Sequence, residues 1–70
     1  MTVIDIVSAD TVEDGDTIRY TGRRGTITLD VKFPPEDAGD KIRIRGYSHE
    51  TGENVTVTFR PDQMVDILGS

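Results

Sequence analysis

Thirteen carboxylates, one histidine and no cysteine define the chemistry open to this 70-residue chain. Asp10, Glu13, Asp14 and Asp16 crowd one segment, and Glu36, Asp37 and Asp40 crowd another. Clustered carboxylates suggest metal ligation or a general acid–base pair. A calcium loop needs oxygen ligands at regular short spacing closed by a Glu, and neither stretch has that spacing. An acid–base pair needs a water-excluding pocket that drives its two pKa values apart, and a chain this short leaves little volume for one. Both clusters therefore read as turn caps and solubilising charge. His49 stands beside Ser48, Glu50 and Thr51. It has hydroxyls nearby but no third group to orient it, so it reads as an exposed tip histidine rather than a general base. Without cysteine there is no thiol nucleophile, no Cys-ligated zinc and no disulfide staple. No catalytic residue, metal ligand or cofactor site is assigned, and the chain reads as a protein that is not an enzyme.

What remains is recognition by charge. Eight cations against thirteen anions give a net charge of −5 and a pI near 4.5. A domain that grips phosphate backbones is ordinarily basic, so nonspecific binding of nucleic acid is disfavoured. Arg (6) outnumbers Lys (2) and Asp (9) outnumbers Glu (4). The Arg bias points to a GC-rich coding source such as an actinobacterium or its phage, while a salt-loving source fits the Asp excess as well. No apolar run approaches a bilayer span or a signal peptide, so the chain is expected in the cytoplasm and away from membranes.

The elements that must position these charges are strands. Val, Ile and Thr supply 7 + 7 + 9 = 23 of the 70 residues, and β-branched side chains suit a pleated surface. Strict alternation runs through Thr17–Thr21, Gly25–Phe33, Lys41–Arg45 and Asn54–Arg60, with a short strand over Met64–Leu68 and a weaker one over Val3–Val7. Asp14-Gly15, the Gly22–Gly25 turn, the Pro34–Asp40 loop and the Glu50–Glu53 tip separate them. Pro61-Asp62 stops the long strand and suits a tight turn or one turn of 3₁₀ helix. The whole chain, residues 1–70, is expected to fold as one small domain.

Facing parity constrains how these strands pair, because a slip of one residue turns a strand over. Tyr20 opposite Ile27, Phe33 opposite Ile42, and Ile44 opposite Phe59 would give a four-stranded meander with one apolar face. Val65 and Ile67 returning to the first strand would close it. The expected fold is all-β, a five- or six-stranded antiparallel small barrel. Its expected core is Ile18, Tyr20, Ile27, Leu29, Val31, Phe33, Ile42, Ile44, Val55, Val57, Phe59, Val65 and Ile67. These registers set Lys32, Arg43 and Arg60 in one outward row, with Arg45 in the next beside Asp30, and Tyr47 in a third. Three cations in line are unfavourable unless something anionic meets them. The competing reading is a solvated face whose charges discourage edge aggregation.

A meander with a glycine-bearing first turn and a terminal strand resembles the SH3-like small barrels. Gly15-Asp16-Thr17-Ile18, followed by Gly22-Arg23-Arg24-Gly25-Thr26-Ile27, resembles the KOW type of that barrel. Together with the ending Thr51-Gly52 … Thr58-Phe59-Arg60, the pattern is similar to the N-terminal domain of the translation elongation factor P family over residues 8 to 68. That resemblance implies an SH3-like fold and, as the alternative function, a nucleic-acid- or ribosome-associated accessory factor in translation or transcription. In that family the central loop presents a basic residue flanked by glycines. Here the tip is Glu36-Asp37-Ala38-Gly39-Asp40, with Asp37 near the basic position and Lys41 displaced to the strand, so no functional residue is carried over. The expected function is a noncatalytic interaction module that binds a protein through Lys32, Arg43, Arg45, Tyr47 and Arg60. Nucleic acid is the less favoured partner, and the molecule is expected to be a monomer or a weak homo-oligomer.

Overall fold

The computed structural model describes residues 2–23 and 25–69, and within them the chain is all-β. Its strands are β1 (Thr2–Ser8), β2 (Thr17–Gly22), β3 (Gly25–Val31), β4 (Glu36–Asp37), β5 (Ile42–Ser48), β6 (Asn54–Phe59) and β7 (Met64–Gly69). One 3₁₀ turn, Ala9–Thr11, follows β1. No helix is long and apolar enough to cross a membrane. Every pairing is antiparallel, and the seven strands form a curled sheet, an open half-barrel. β2, β3, β5 and β6 make the expected meander, and β7 returns to lie between β1 and β2. The strand count exceeds the expected five or six because the central loop contributes β4, with Glu36 opposite Arg43 and Asp37 opposite Ile42. At Pro61-Asp62 the chain makes a simple turn, the N–H of Gln63 donating to the carbonyl of Arg60 at 3.0 Å. Arg24, in the expected Gly22–Gly25 turn, lies outside the described residues.

The first hairpin has the expected register, Tyr20 opposite Ile27 and Ile18 opposite Leu29, and β7 returns to β2 as expected, with Ile67 opposite Ile18. The next two pairings keep their facing parity but slip by two residues. Val31 meets Gly46 rather than Ile44, and Phe59 meets Ile42 rather than Ile44. Gly46 explains the first slip. A Cβ at this position would lie 2.2 Å from the carbonyl oxygen of Asp30 and 3.1 Å from Cγ of Leu29. Only glycine lets β5 approach β3 this closely. The other half of β5 is then covered by β4. The N–H of Lys32 still reaches the carbonyl of Arg45 at 3.2 Å, but Pro34 and Pro35 bring no donors and the ladder stops. Phe33 therefore leaves the sheet and is half-exposed, so it does not join the core as its parity suggested.

Ile18, Leu29, Ile44 and Val65 are fully buried, with Val31 and Phe59 beside them. Tyr20, Ile42, Val55, Val57 and Ile67 pack around this centre. The rings of Tyr20 and Phe59 meet edge to face at 4.8 Å, the arrangement their quadrupoles favour. Burial, and secondarily the charge of Glu50, pushes the Tyr20 phenol above its ordinary pKa, so it stays neutral. Ile27 is only partly covered and lies outside the cluster. The core is completed instead by Ala9 and Val12, which alternation does not mark. The N–H of Ala9 donates to the carbonyl of Gln63 at 2.8 Å and that of Asp10 to Pro61 at 3.4 Å, fastening this segment to the β6–β7 turn. Of the acids beyond it, Asp16 serves as a cap. Asp16 accepts the N–H of Glu13 at 3.0 Å, while the Gly15 N–H and the Asp16 carbonyl bond Val31 at 2.9 and 2.8 Å.

A domain of this size has about 4–10 kcal/mol of stability in total. A methyl group driven into a backbone carbonyl is not relieved by rotating a side chain, so Gly46→Ala is expected to lose about 2–4 kcal/mol. Gly22→Ala is the control, because its Cβ would meet only Tyr20 and Ile27 carbons at 3.7 and 3.8 Å. Urea unfolding followed by circular dichroism measures both. A Gly46→Ala protein as stable as Gly22→Ala would refute the close approach.

Candidate functional site

Along β5 alternate residues turn inward and outward, Ile44, Gly46 and Ser48 being buried while Arg43, Arg45 and Tyr47 are exposed. The neighbouring strands decide what flanks each outward residue. Arg43 stands between Glu36 on β4 and Thr58 on β6. Arg45 faces Thr56, and its own carbonyl holds Lys32 on the other side. Tyr47 lies between Asp30 and Asn54. Glu36 is the hub of the electrostatics: its carboxylate is 2.6 Å from Arg45 Nη2 and 3.9 Å from Arg43 Nη1. The Arg45 guanidinium also sits 4.7 Å from the centre of the Phe33 ring, within cation–π range. Exposed pairs of this kind contribute about 0–1 kcal/mol each to stability. Their effect here is to hold Arg45 in one orientation between a carboxylate and a ring.

The β5–β6 tip folds back on β3. His49 Nε2 lies 3.0 Å from Oδ1 of Asp30, which also accepts the Thr17 hydroxyl at 2.9 Å. The N–H of His49 donates to the carbonyl of Thr28 at 3.0 Å, and the N–H of Thr28 donates to Glu50 Oε1 at 2.8 Å. Gly52, with φ of +71°, makes the turn possible and donates its N–H to the Ser48 carbonyl at 2.9 Å. His49 is thus at the tip, as the sequence suggests, but its ring is engaged by Asp30. It also lies 6.2 Å from the ring of Tyr47. Partial burial is the largest influence on the Asp30 carboxyl and pushes it up. Hydrogen bonds from His49 and Thr17, with the charges of His49 and Lys32, outweigh that and hold it below its ordinary value.

Of the five residues expected to bind a partner, Arg43, Arg45 and Tyr47 share one strand and Lys32 lies beside Arg45. Arg60 does not join them. The expected row of Lys32, Arg43 and Arg60 does not form, because the two-residue slips move Lys32 opposite Arg45 and leave Arg60 past the end of β6, 3.7 Å from Asp62. Sequence reasoning missed Glu36, the anion that meets the arginines, and Phe33, an outward aromatic. The Pro34-Pro35 pair was the available signal for both: it ends β3 and returns the chain alongside β5. Among the described residues no group of three acidic or imidazole side chains could hold a metal ion.

No protein-family model, curated protein or solved structure matches the chain. Its surface chemistry rests on the side chains just described.

Asp30 links this surface to pH. Its carboxyl is held below the unfolded value of about 3.9, so it contributes stability that is present above that pH and is lost as pH falls through the folded value. Asp30→Asn should be less stable than wild type at pH 7, and the gap should narrow as pH falls below the unfolded value. Thermal unfolding between neutral pH and about pH 3 measures this; a gap that is constant across the range would contradict it.

Proposed function

We propose that the protein is a noncatalytic interaction module that docks a protein partner on the outward face of β3 and β5, with the β3–β4 loop and the β5–β6 tip as its rim. The observation that carries this reading is the ordered Arg45–Phe33 pair, with the outward Tyr47 two residues along the same strand as Arg45. Arg45 is held by Glu36 over Phe33, and Phe33 and Tyr47 are 50% and 40% exposed. Aromatic and Arg side chains that are ordered before binding are typical anchors of protein interfaces, because little side-chain entropy is left to lose. Lys32, which has no ion-pair partner among the described residues, supplies a cation beside them. The noncatalytic reading is supported by Ser48, the hydroxyl next to His49 in sequence, which is buried and accepts the Thr51 N–H at 3.4 Å.

The alternative, a KOW-like nucleic-acid or ribosome-associated factor, is less well supported. A phosphate approaching Arg43 or Arg45 would meet the Glu36 carboxylate already between them. The SH3-like reading of the sheet is supported by the meander of β2, β3, β5 and β6, a tight turn, and β7 returning to β2. On that reading β1 is an added strand.

Two measurements test the binding surface. Capture of partners by crosslinking and mass spectrometry should fall at least about tenfold for a folded Arg45→Ala, Tyr47→Ala double variant, and stay unchanged for Arg60→Glu. Equal capture by the double variant and wild type would overturn the assignment. In a gel-shift assay at low salt, wild type should leave an RNA ladder unmoved, whereas Glu36→Gln should shift it and lose the shift as salt is added. A shift by wild type itself would favour nucleic acid.

A further inference from the structure

Three strands have a neighbour on one side only, β1, the two-residue β4 and β6, and the two long ones differ in how their free backbone groups are treated. An edge strand is a template for another chain unless something blunts it. On β1, the bond from Ala9 N–H to Gln63 fixes which groups turn away from β7, namely those of Ile6 and Ser8. The Ile6 N–H is taken by the carboxylate of its neighbour Asp5 at 2.8 Å, and the Ser8 carbonyl by the Thr11 hydroxyl at 2.7 Å. A register irregularity between Val3 and Asp5 interrupts the strand as well. β1 is guarded.

β6 is not guarded. The bond from Ser48 N–H to the Glu53 carbonyl at 2.9 Å sets its parity, so Val55, Val57 and Phe59 bond toward β5 and Asn54, Thr56 and Thr58 turn their N–H and C=O groups outward. All three are exposed, and none has a further backbone partner among the described residues. The register with β5 is unbroken from Phe59 to Asn54, so no bulge disrupts the edge. In a chain with 30% charged residues, Asn54–Phe59 contains no charge, no proline and no glycine.

We propose that the free edge of β6 is a strand-addition site for a second copy of this chain, the two β6 strands pairing antiparallel about a two-fold axis at Thr56. In that register Thr56 faces Thr56 and Asn54 faces Thr58, so every outward N–H and C=O of the three residues gains a partner. On the inner face Val55 meets Val57 of the second copy, and both valines are only partly covered in one copy. The choice of a second copy follows from charge. The paired segment is neutral, so two molecules of net charge −5 meet where neither carries a charge. At each end Arg60 of one molecule lies alongside the tip loop of the other, which bears Glu53. An isologous contact of this kind closes on itself and does not propagate into a fibre. The joined sheet would set the two Arg45–Tyr47 faces side by side on one surface. A single strand pair is small for an interface, so association is expected to be weak.

Sedimentation equilibrium of the full chain tests this, at concentrations up to about 1 mM. Wild type should rise from 7.7 kDa toward twice that mass. Thr56→Pro removes an outward N–H without removing a bond to β5, and should weaken association at least about tenfold while circular dichroism stays unchanged. Thr56→Glu, a second variant for the event that the proline disturbs folding, should do the same by setting two carboxylates directly opposite each other on the two-fold axis. Ile6→Lys, on the guarded edge, should leave association as it is. Wild type that remains monomeric throughout would overturn the proposal. So would a folded Thr56→Glu that associates as tightly as wild type, or an Ile6→Lys that abolishes association.

Discussion

The backbone of β5 comes so close to β3 at Gly46 that no side chain fits between them, and much of the architecture depends on that contact. It fixes where β3 stops pairing, and so leaves the first residues of β5 for β4. It places Val31 and Gly46 opposite each other, which sets Ser48 against Leu29 and lets the tip beyond Ser48 fold over Thr28 and Asp30. Just beyond it Pro34 and Pro35 end the ladder, and Phe33 leaves the sheet to lie under the Arg45 guanidinium. A curled sheet needs such a site, since neighbouring strands rotate relative to one another and full-sized inward side chains would hold them apart.

Electrostatics follow from the same register. The chain is acidic overall, yet two of the three outward residues of its most heavily paired strand are Arg43 and Arg45. β4 places Glu36 against both of them, so the cations of β5 are oriented without forming a bare basic patch. Asp30 repeats the arrangement one row along, where His49 and Thr17 converge on its carboxylate. Surface pairs of this type add little stability individually. Their consequence is order: the loops at both ends of the outward face are tied to β3 and β5 by side chains as well as by backbone.

Alternation made the strands and their faces legible. Ile18, Leu29, Ile44, Phe59 and Val65 are buried because period-two patterning states which face a residue is on, and a slip by two residues does not change that. The registers of β5 with β3 and with β6 were not legible for the same reason. Pairing Val31 with Ile44 satisfies parity as well as pairing it with Gly46 does, and only the backbone approach at Gly46 separates them. Ala9 and Val12 were invisible to alternation because a 3₁₀ turn and an irregular loop carry them into the core. Phe33 failed for a different reason. Its parity is right, but Pro34 and Pro35 end the ladder before burial can be realised. The candidate surface was legible as a set of outward cations on β5, while its counterion Glu36 was hidden inside what read as a loop.

The slip that places Gly46 against Val31 can be seen directly in solution. Ladder bonds from Lys32 to Arg45 and from His49 to Thr28 make Val31–Gly46 and Leu29–Ser48 the pairs without mutual backbone bonds, whose Cα atoms approach to about 4.5 Å. Proton NMR of the wild-type chain should therefore show strong Hα–Hα nuclear Overhauser effects between Val31 and Gly46 and between Leu29 and Ser48. A strong effect between Val31 and Ile44 in their place would put β5 in the other register and contradict the close contact on which this account rests.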